Sequence, residues 1–287
     1  MKILLTGING QVGAAIAQAL ADSTLQHTLI ALDRQALDLS DAAAIARSVQ
    51  QHQPDIIINP AAYTAVDQAE HERELAFAIN AQAPKVLAEQ ARLLGIPLLH
   101  FSTDYVFDGS KNGAWLEHDP TGPLNVYGAS KLEGERAIQD SGCQHLILRT
   151  SWVYSRRGKN FYLTMRRLLS ERDRVSVVAD QHGTPTPAGW LAAVTLQLLQ
   201  QWQQGQWHNG IYHCTPSGVT SWFGFAQAIA AQLVCEGQLQ AALSPIPSSA
   251  YPTPAARPAN SQLDCGALAR DWQISLPSWE QALSEHL

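Results

Sequence analysis

The first half of the chain alternates short apolar runs with longer stretches in which apolar residues recur every three or four positions. Residues 3–5, 29–32, 55–58, 97–102 and 146–149 are runs of strand length. Between them, 12–20, 41–51 and 69–94 are alanine-rich and amphipathic, and read as helices. Residues 175–178 continue the series of strands. Strands alternating with helices of this length predict βαβ units and an α/β fold, a Rossmann-type doubly wound parallel sheet.

Past about residue 205 the pattern loosens. Trp202, Trp207 and Trp222 lie close together, and Pro245, Pro247, Pro252, Pro254 and Pro258 crowd one short stretch. This is loop-rich chain, expected to form a smaller C-terminal lobe that closes over the sheet edge. The expected division is a dinucleotide-binding domain over 1–155, with 187–204 packing back on it. Residues 156–186 and 205–287 then form the substrate-binding lobe.

The 287 residues are 46% apolar and 15% charged, as an ordered protein with a large core requires. A net charge of −6 argues against nucleic acid or an anionic membrane as partner. The basic pairs Arg156-Arg157 and Arg166-Arg167 read as solvated helix faces. Four cysteines, Cys143, Cys214, Cys235 and Cys265, are scattered without CxxC pairing, which points to a reducing compartment rather than to disulfides or zinc. Without a signal-type leader or an 18-residue apolar stretch, a cytoplasmic protein is expected.

Chemistry enters first at the N-terminus. Thr6-Gly7-Ile8-Asn9-Gly10-Gln11-Val12-Gly13 sets glycines at 7, 10 and 13, directly after the first strand and opening the first helix. A tight turn there needs positive φ, a pyrophosphate needs backbone without Cβ, and the helix must pack closely on the strand. The helix N-terminus then offers free N–H groups to phosphate. Asp33 follows at the end of the second strand, at the separation expected for a carboxylate on the adenosine ribose. Arg34 beside it suits a 2′-phosphate, so NADH and NADPH both remain open. Asp38 and Leu39 begin the next turn, where they either edge the adenine or cap a helix.

The second constellation is Tyr127-Gly128-Ala129-Ser130-Lys131. On a helix the phenol and the ammonium share a face, one turn apart. A cation at that distance is expected to lower the tyrosine pKa and fit it for proton transfer. The run Phe101-Ser102-Thr103-Asp104-Tyr105 ends a strand at the carboxyl edge of the sheet, where Ser102 or Thr103 can bond a substrate carbonyl.

The glycine triplet, the strand-end hydroxyl and the Tyr-xxx-Lys pair resemble the extended short-chain dehydrogenase/reductase superfamily. Within it, residues 59–70, 102–109, 123–131, 149–154, 180–186 and 250–263 resemble the dTDP-4-dehydrorhamnose reductase family. That resemblance implies a catalytic triad of Thr103, Tyr127 and Lys131, reducing C4 of a dTDP-4-dehydro sugar with NADPH or NADH. It implies a coenzyme groove of Gly7, Gly10, Gln11, Val12, Gly13, Asp33, Arg34, Asp38, Leu39, Ala61, Ala62 and Tyr63 together with Tyr127 and Lys131. Thr64, Val66, Asp104, Tyr105 and Trp152, with Thr103 and Tyr127, line the implied sugar pocket, and Arg257 meets the nucleotide diphosphate. Asn80 steadies the active-site end, with helix packing as its alternative, and His182 sits on a crossing between lobes.

One departure is informative. Some family members dimerise through a metal held by glutamates where this chain has Ala15 and Gly189. Neither side chain can ligate a hard cation. No metal is therefore expected, and the partner is a nucleotide sugar bound by a monomer or weak homodimer. Two readings compete: an epimerase or dehydratase of the same fold, and a regulatory subunit resembling the β-subunit of methionine adenosyltransferase. The intact Thr103, Tyr127 and Lys131 argue for chemistry over the latter.

Overall fold

A computed structural model describes residues 1–285 of the chain. Five strands come in quick succession. β1 (Lys2–Thr6) leads into α1 (Gln11–Asp22), and β2 (Thr28–Leu32) into α2 (Ala42–His52). β3 (Ile56–Asn59) runs through the short helices α3 (Val66–Ala69) and α4 (Arg73–Phe77) into α5 (Ala83–Leu94). β4 (Leu98–Thr103) leads into α6 (Val126–Ser141), which returns to β5 (His145–Thr150). All five pair in parallel in the order β2-β1-β3-β4-β5, and a sixth strand, Gly210–His213, extends the sheet beyond β5. The order reverses between β1 and β3. In open α/β sheets the crevice at that reversal, outside the carboxyl ends of the strands, is where ligands bind.

The apolar runs are continuous because both sheet faces are covered. Ile3, Leu5, Ile56, Ile58, Leu99, Leu146 and Leu148 share one core with Ile16 and Leu20 of α1. Their neighbours Leu4, Ile57, Leu98 and Ile147 point the other way, into a core with Ile45, Val49, Leu87 and Ile138.

The second half contains β6 (Val153–Tyr154), α7 (Phe161–Glu171), β7 (Arg174–Val178), β8 (His182–Gly183) and β9 (Thr186–Pro187). It continues with α8 (Ala188–Gln203), β10 (the sixth strand), β11 (Thr220–Ser221), α9 (Trp222–Cys235) and β12 (Ala242–Ile246). Helices α10 (Gly266–Trp272) and α11 (Trp279–Glu285) follow. Two expectations change here. The 175–178 run is not in the main sheet: β7 pairs with β12, over a separate core of Tyr162, Leu169, Phe225 and Ile229. The stretch beyond 205 is not all one lobe either. β10 joins the main sheet, and Leu268, Trp272 and Ile274 pack into its core beside Trp190, Leu191 and Leu198 of α8. A four-residue strand and an isolated helix turn carry too little periodicity to be read locally.

Helix α6 is tied to β5 by a buried ion pair. Arg149 donates to Glu135 through Nη2 at 2.7 Å and Nε at 2.9 Å, and the Ser102 hydroxyl donates to the same carboxylate. Removing one member of such a pair strands the other charge without water, which costs ~3–5 kcal/mol. Arg149→Met should therefore lose about that much stability in chemical denaturation, and adding Glu135→Leu should recover a large part of it. A loss below about 1 kcal/mol would show the pair to be solvated.

Candidate active site

Helix α6 sits unusually close to its neighbours. A Cβ at Gly128 would overlap the carbonyl oxygen of Tyr105, and one at Gly134 the carbonyl oxygen of Asn80. Asn125 caps the helix, its Oδ1 accepting from Gly128 N at 2.8 Å while its Nδ2 donates to the Ala256 carbonyl at 2.8 Å. Asn80 lies on a π-helical turn ahead of α5 and is buried. It accepts from Tyr63 N at 2.8 Å and donates to Tyr63 O and Ser130 Oγ, each at 3.0 Å. It thus ties the loop after β3 to α6.

These contacts set Tyr127 and Lys131 at the edge of a groove of about 630 Å³. The groove runs from Asp33, Arg34, Asp38 and Leu39 past Gly7, Gly10, Gln11, Val12 and Gly13 to Ala61, Ala62, Tyr63 and Thr64. Every residue expected to hold the coenzyme lines it. At Gly7 φ is +62°, and a Cβ at Gly13 would overlap the Gly7 carbonyl oxygen. Gly10 caps α1 with no side chain, and its first turn carries no acidic residue. The first N–H groups of α1 are thus open to an anion, with Arg34, Arg157 and Lys159 supplying positive charge around the groove. Asp33 accepts from Gln35 N and Ala36 N at 2.9 Å and from Asn9 at 3.2 Å, and these bonds lower its pKa, Ala36 contributing most. The chemistry of this lining fits a dinucleotide.

At the other end, Phe101 and Ser102 of β4 line the groove, while Thr103 and Asp104 beyond them are buried and do not. Thr103 donates to Asp104 Oδ1 at 3.0 Å, whereas Asp104 Oδ2 has no partner. Burial pushes this carboxyl up to about 7. Tyr127 behaves otherwise than expected. Burial raises it to about 12, the nearby Thr103 hydroxyl opposes this, and the Asp104 charge adds to it. Lys131 does not offset the rise, because its amine turns toward β4, donating to Phe101 O at 2.6 Å and lying 3.1 Å from His100 Nε2. Desolvation brings Lys131 down to about 8, against the pull of Glu135.

The full length of the chain, residues 1–287, matches the family model described as the RmlD substrate binding domain. A dTDP-4-dehydrorhamnose reductase of Burkholderia thailandensis is 46% identical over 99% of this chain and 97% of its own. The chain belongs to the dTDP-4-dehydrorhamnose reductase family. Two solved structures agree with this. A dTDP-4-dehydrorhamnose reductase of Clostridium acetobutylicum aligns with a TM-score of 0.92 at 36% identity, covering 100% of this chain and 98% of that one. One of Bacillus anthracis, solved in complex with NADP, aligns with a TM-score of 0.90 at 35% identity, covering 99% and 98%.

The family resemblance also marked residues that lie outside the groove lining. Tyr105 meets Tyr127 edge to face, ring centroids 5.8 Å apart. Trp152, at φ +47°, stacks on Trp222 with centroids 3.6 Å apart, and Gly183 leaves room for its ring. Val66 begins α3. Arg257 is not free: it makes a bidentate pair with Asp67 of α3, at 2.6 and 2.8 Å, and also donates to Ala255 O. His182 is exposed in β8 and does not line the groove. Among the described residues no cluster of three or more His, Cys, Asp or Glu side chains can hold a metal.

Sequence reasoning missed the loop after β6. Arg157, Gly158 and Lys159 line the groove, where the Arg156-Arg157 pair had suggested a solvated helix face. Gln11 pins this loop, accepting from Ser155 Oγ at 2.9 Å and Asn160 Nδ2 at 2.7 Å. The one available signal was Gly158 between two cations. Gly13→Ala should distort the α1 turn and weaken NADPH binding by more than about tenfold in calorimetry, since the added methyl has nowhere to go. Native affinity in that variant would remove the turn from the site.

Proposed function

We propose that the protein reduces the C4 keto group of dTDP-4-dehydro-L-rhamnose with NADPH or NADH, giving dTDP-L-rhamnose. The observation that carries this is Tyr127 and Lys131 on one face of α6, at the mouth of a dinucleotide groove, in a chain with full-length membership of the reductase family. We read residues 1–155 as the core of the coenzyme domain and α7, β7, α9 and β12 as the substrate lobe. The reaction is that of a monomer or weak homodimer in the cytoplasm, with no bridging metal. Among the described residues no helix is long and apolar enough to cross a membrane.

Gly7, Gly10, Gly13 and Asp33 would hold the coenzyme along the groove, where it would supply hydride to C4. Tyr127 donates its phenolic proton to the developing O4 alkoxide and is reprotonated from water. A phenol raised to about 12 is fully protonated at neutral pH, the state a donor needs. Thr103 aligns the carbonyl. Its hydroxyl donates to Asp104 at 3.0 Å and would exchange that bond for one to O4 when the sugar binds. Lys131, held by Phe101 O and His100, would bond the nicotinamide ribose with its remaining N–H. Thr64, Val66, Tyr105 and Trp152 present apolar and aromatic faces to the sugar ring, whose C–H faces are themselves apolar.

Tyr127→Phe keeps the ring and removes the proton. NADPH oxidation in the presence of the keto sugar should fall by about 10²-fold or more, with coenzyme affinity nearly unchanged. Turnover near that of the native chain would overturn the assignment.

Arg257 acts on a part of the substrate that does not react, by binding the diphosphate. Asp67 holds the guanidinium ready in its fork, and the incoming phosphates displace it or share it. Hydrogen bonds to charged groups contribute ~1.5–3 kcal/mol. Arg257→Ala should therefore raise KM for the nucleotide sugar about 10- to 100-fold and leave the NADPH Kd unchanged. Arg257→Lys should recover part of this. Equal weakening of coenzyme and sugar would show that Arg257 acts through the fold.

A further inference from the structure

His100 lies on β4 beneath the active site, wholly buried, and takes no part in the chemistry above. Burial and the Lys131 charge hold its pKa well below the ordinary value, so the ring is neutral and carries one proton. Both ring nitrogens are nevertheless engaged. Nε2 is 3.1 Å from Lys131 Nζ, and Nδ1 is 3.0 Å from the Asn59 side-chain amide. The far end of that amide meets Thr6 Oγ1 at 2.6 Å. Thr6 and Lys131 both line the groove, so the chain Thr6–Asn59–His100–Lys131 leaves the groove at the glycine loop and returns to it beside Tyr127.

Counting donors leaves two arrangements that pair every buried polar atom. With Lys131 charged, its three N–H groups go to Phe101 O, to His100 Nε2 and into the groove. The ring proton must then sit on Nδ1, facing the Asn59 oxygen, with the Asn59 NH₂ turned to Thr6. With Lys131 neutral, Nε2 carries the proton and donates to the amine, Asn59 NH₂ faces Nδ1, and the Thr6 hydroxyl donates to the Asn59 oxygen. The structure has the amide in this second orientation. Passing from the first to the second releases one proton in all, moves the ring proton across the imidazole and turns the amide by half a turn. The other charged group acting on this amine is Glu135 on its own helix, with Arg149 of β5 behind it; Tyr127 lies one turn away on the same helix and makes no bond to the amine.

We propose that His100 is a positioning residue: its tautomer follows the charge of Lys131 and keeps one N–H of that amine aimed at the coenzyme ribose. The claim rests on the reductase reading for its role in turnover, but not for its effect on the lysine. An imidazole acceptor stabilises the ammonium, so its removal must lower the pH at which Lys131 loses its charge.

The test follows the Lys131 amine by NMR in ¹⁵N-lysine-labelled protein, with Lys131→Met to identify the signal. In His100→Leu the titration midpoint should fall by about one pH unit, a tenfold change in the protonation equilibrium. The alkaline limb of kcat for NADPH oxidation should move with it. His100→Gln, whose amide can accept from Lys131 and donate to Asn59, should restore both toward the native values. Should the leucine variant fail to fold, His100→Met takes its place at similar volume. An unchanged midpoint, a loss of kcat by one factor at every pH, or a glutamine variant no better than leucine overturns the proposal. Failure of the native chain to oxidise NADPH would instead count against the reductase reading, and the NMR midpoints would still decide the role of His100.

Discussion

The close docking of helix α6 on the end of β4 is the contact on which the active site depends. Two glycines, Gly128 and Gly134, let its backbone approach the carbonyl oxygens of Tyr105 and Asn80 nearer than any side chain would permit. Asn125, Ser130, Lys131 and Glu135 then bond to four different neighbouring segments. The helix therefore has one register on the sheet, and that register fixes where the phenol of Tyr127 stands. A proton donor misplaced by an ångström loses much of its effect, which is why rigid packing is the right support for it.

The same closeness explains the electrostatics. Packing this tight excludes water, and exclusion of water raises Tyr127 and Asp104 while lowering Lys131 and His100. Each is moved toward its neutral form. A site in that condition holds protons on its donors and exposes few fixed charges to a neutral keto sugar. The charges gather instead along the groove, at Asp33, Arg34, Arg157 and Lys159, and in the Arg257–Asp67 pair.

Local signals carried much of this into the sequence. Strands β1 to β5 were legible as apolar runs, and the glycine turn and the Tyr-xxx-Lys spacing as motifs, because each depends on residues a few positions apart. What escaped depends on contacts between distant parts of the chain. The pair between Asp67 and Arg257, the pinning of the 155–160 loop by Gln11, and the placement of β10 beside β5 leave no periodic trace. The direction of Lys131 escaped for a related reason. Spacing puts the lysine on the face of Tyr127, but the acceptors Phe101 O and His100 on β4 draw its amine under the helix. A helical wheel shows the face and not what lies beneath it.

The central claim is that this geometry delivers a hydride to the sugar for good, rather than lending and recovering it. It is tested most directly by incubating the protein with dTDP-4-dehydro-L-rhamnose and NADPH carrying two deuterium atoms at nicotinamide C4, then weighing the sugar product. The account predicts one deuterium at C4 of each product molecule and one oxidised coenzyme released per sugar. Unlabelled product formed with coenzyme retained on the protein would contradict it, and would mark the chain as an epimerase or dehydratase of the same fold.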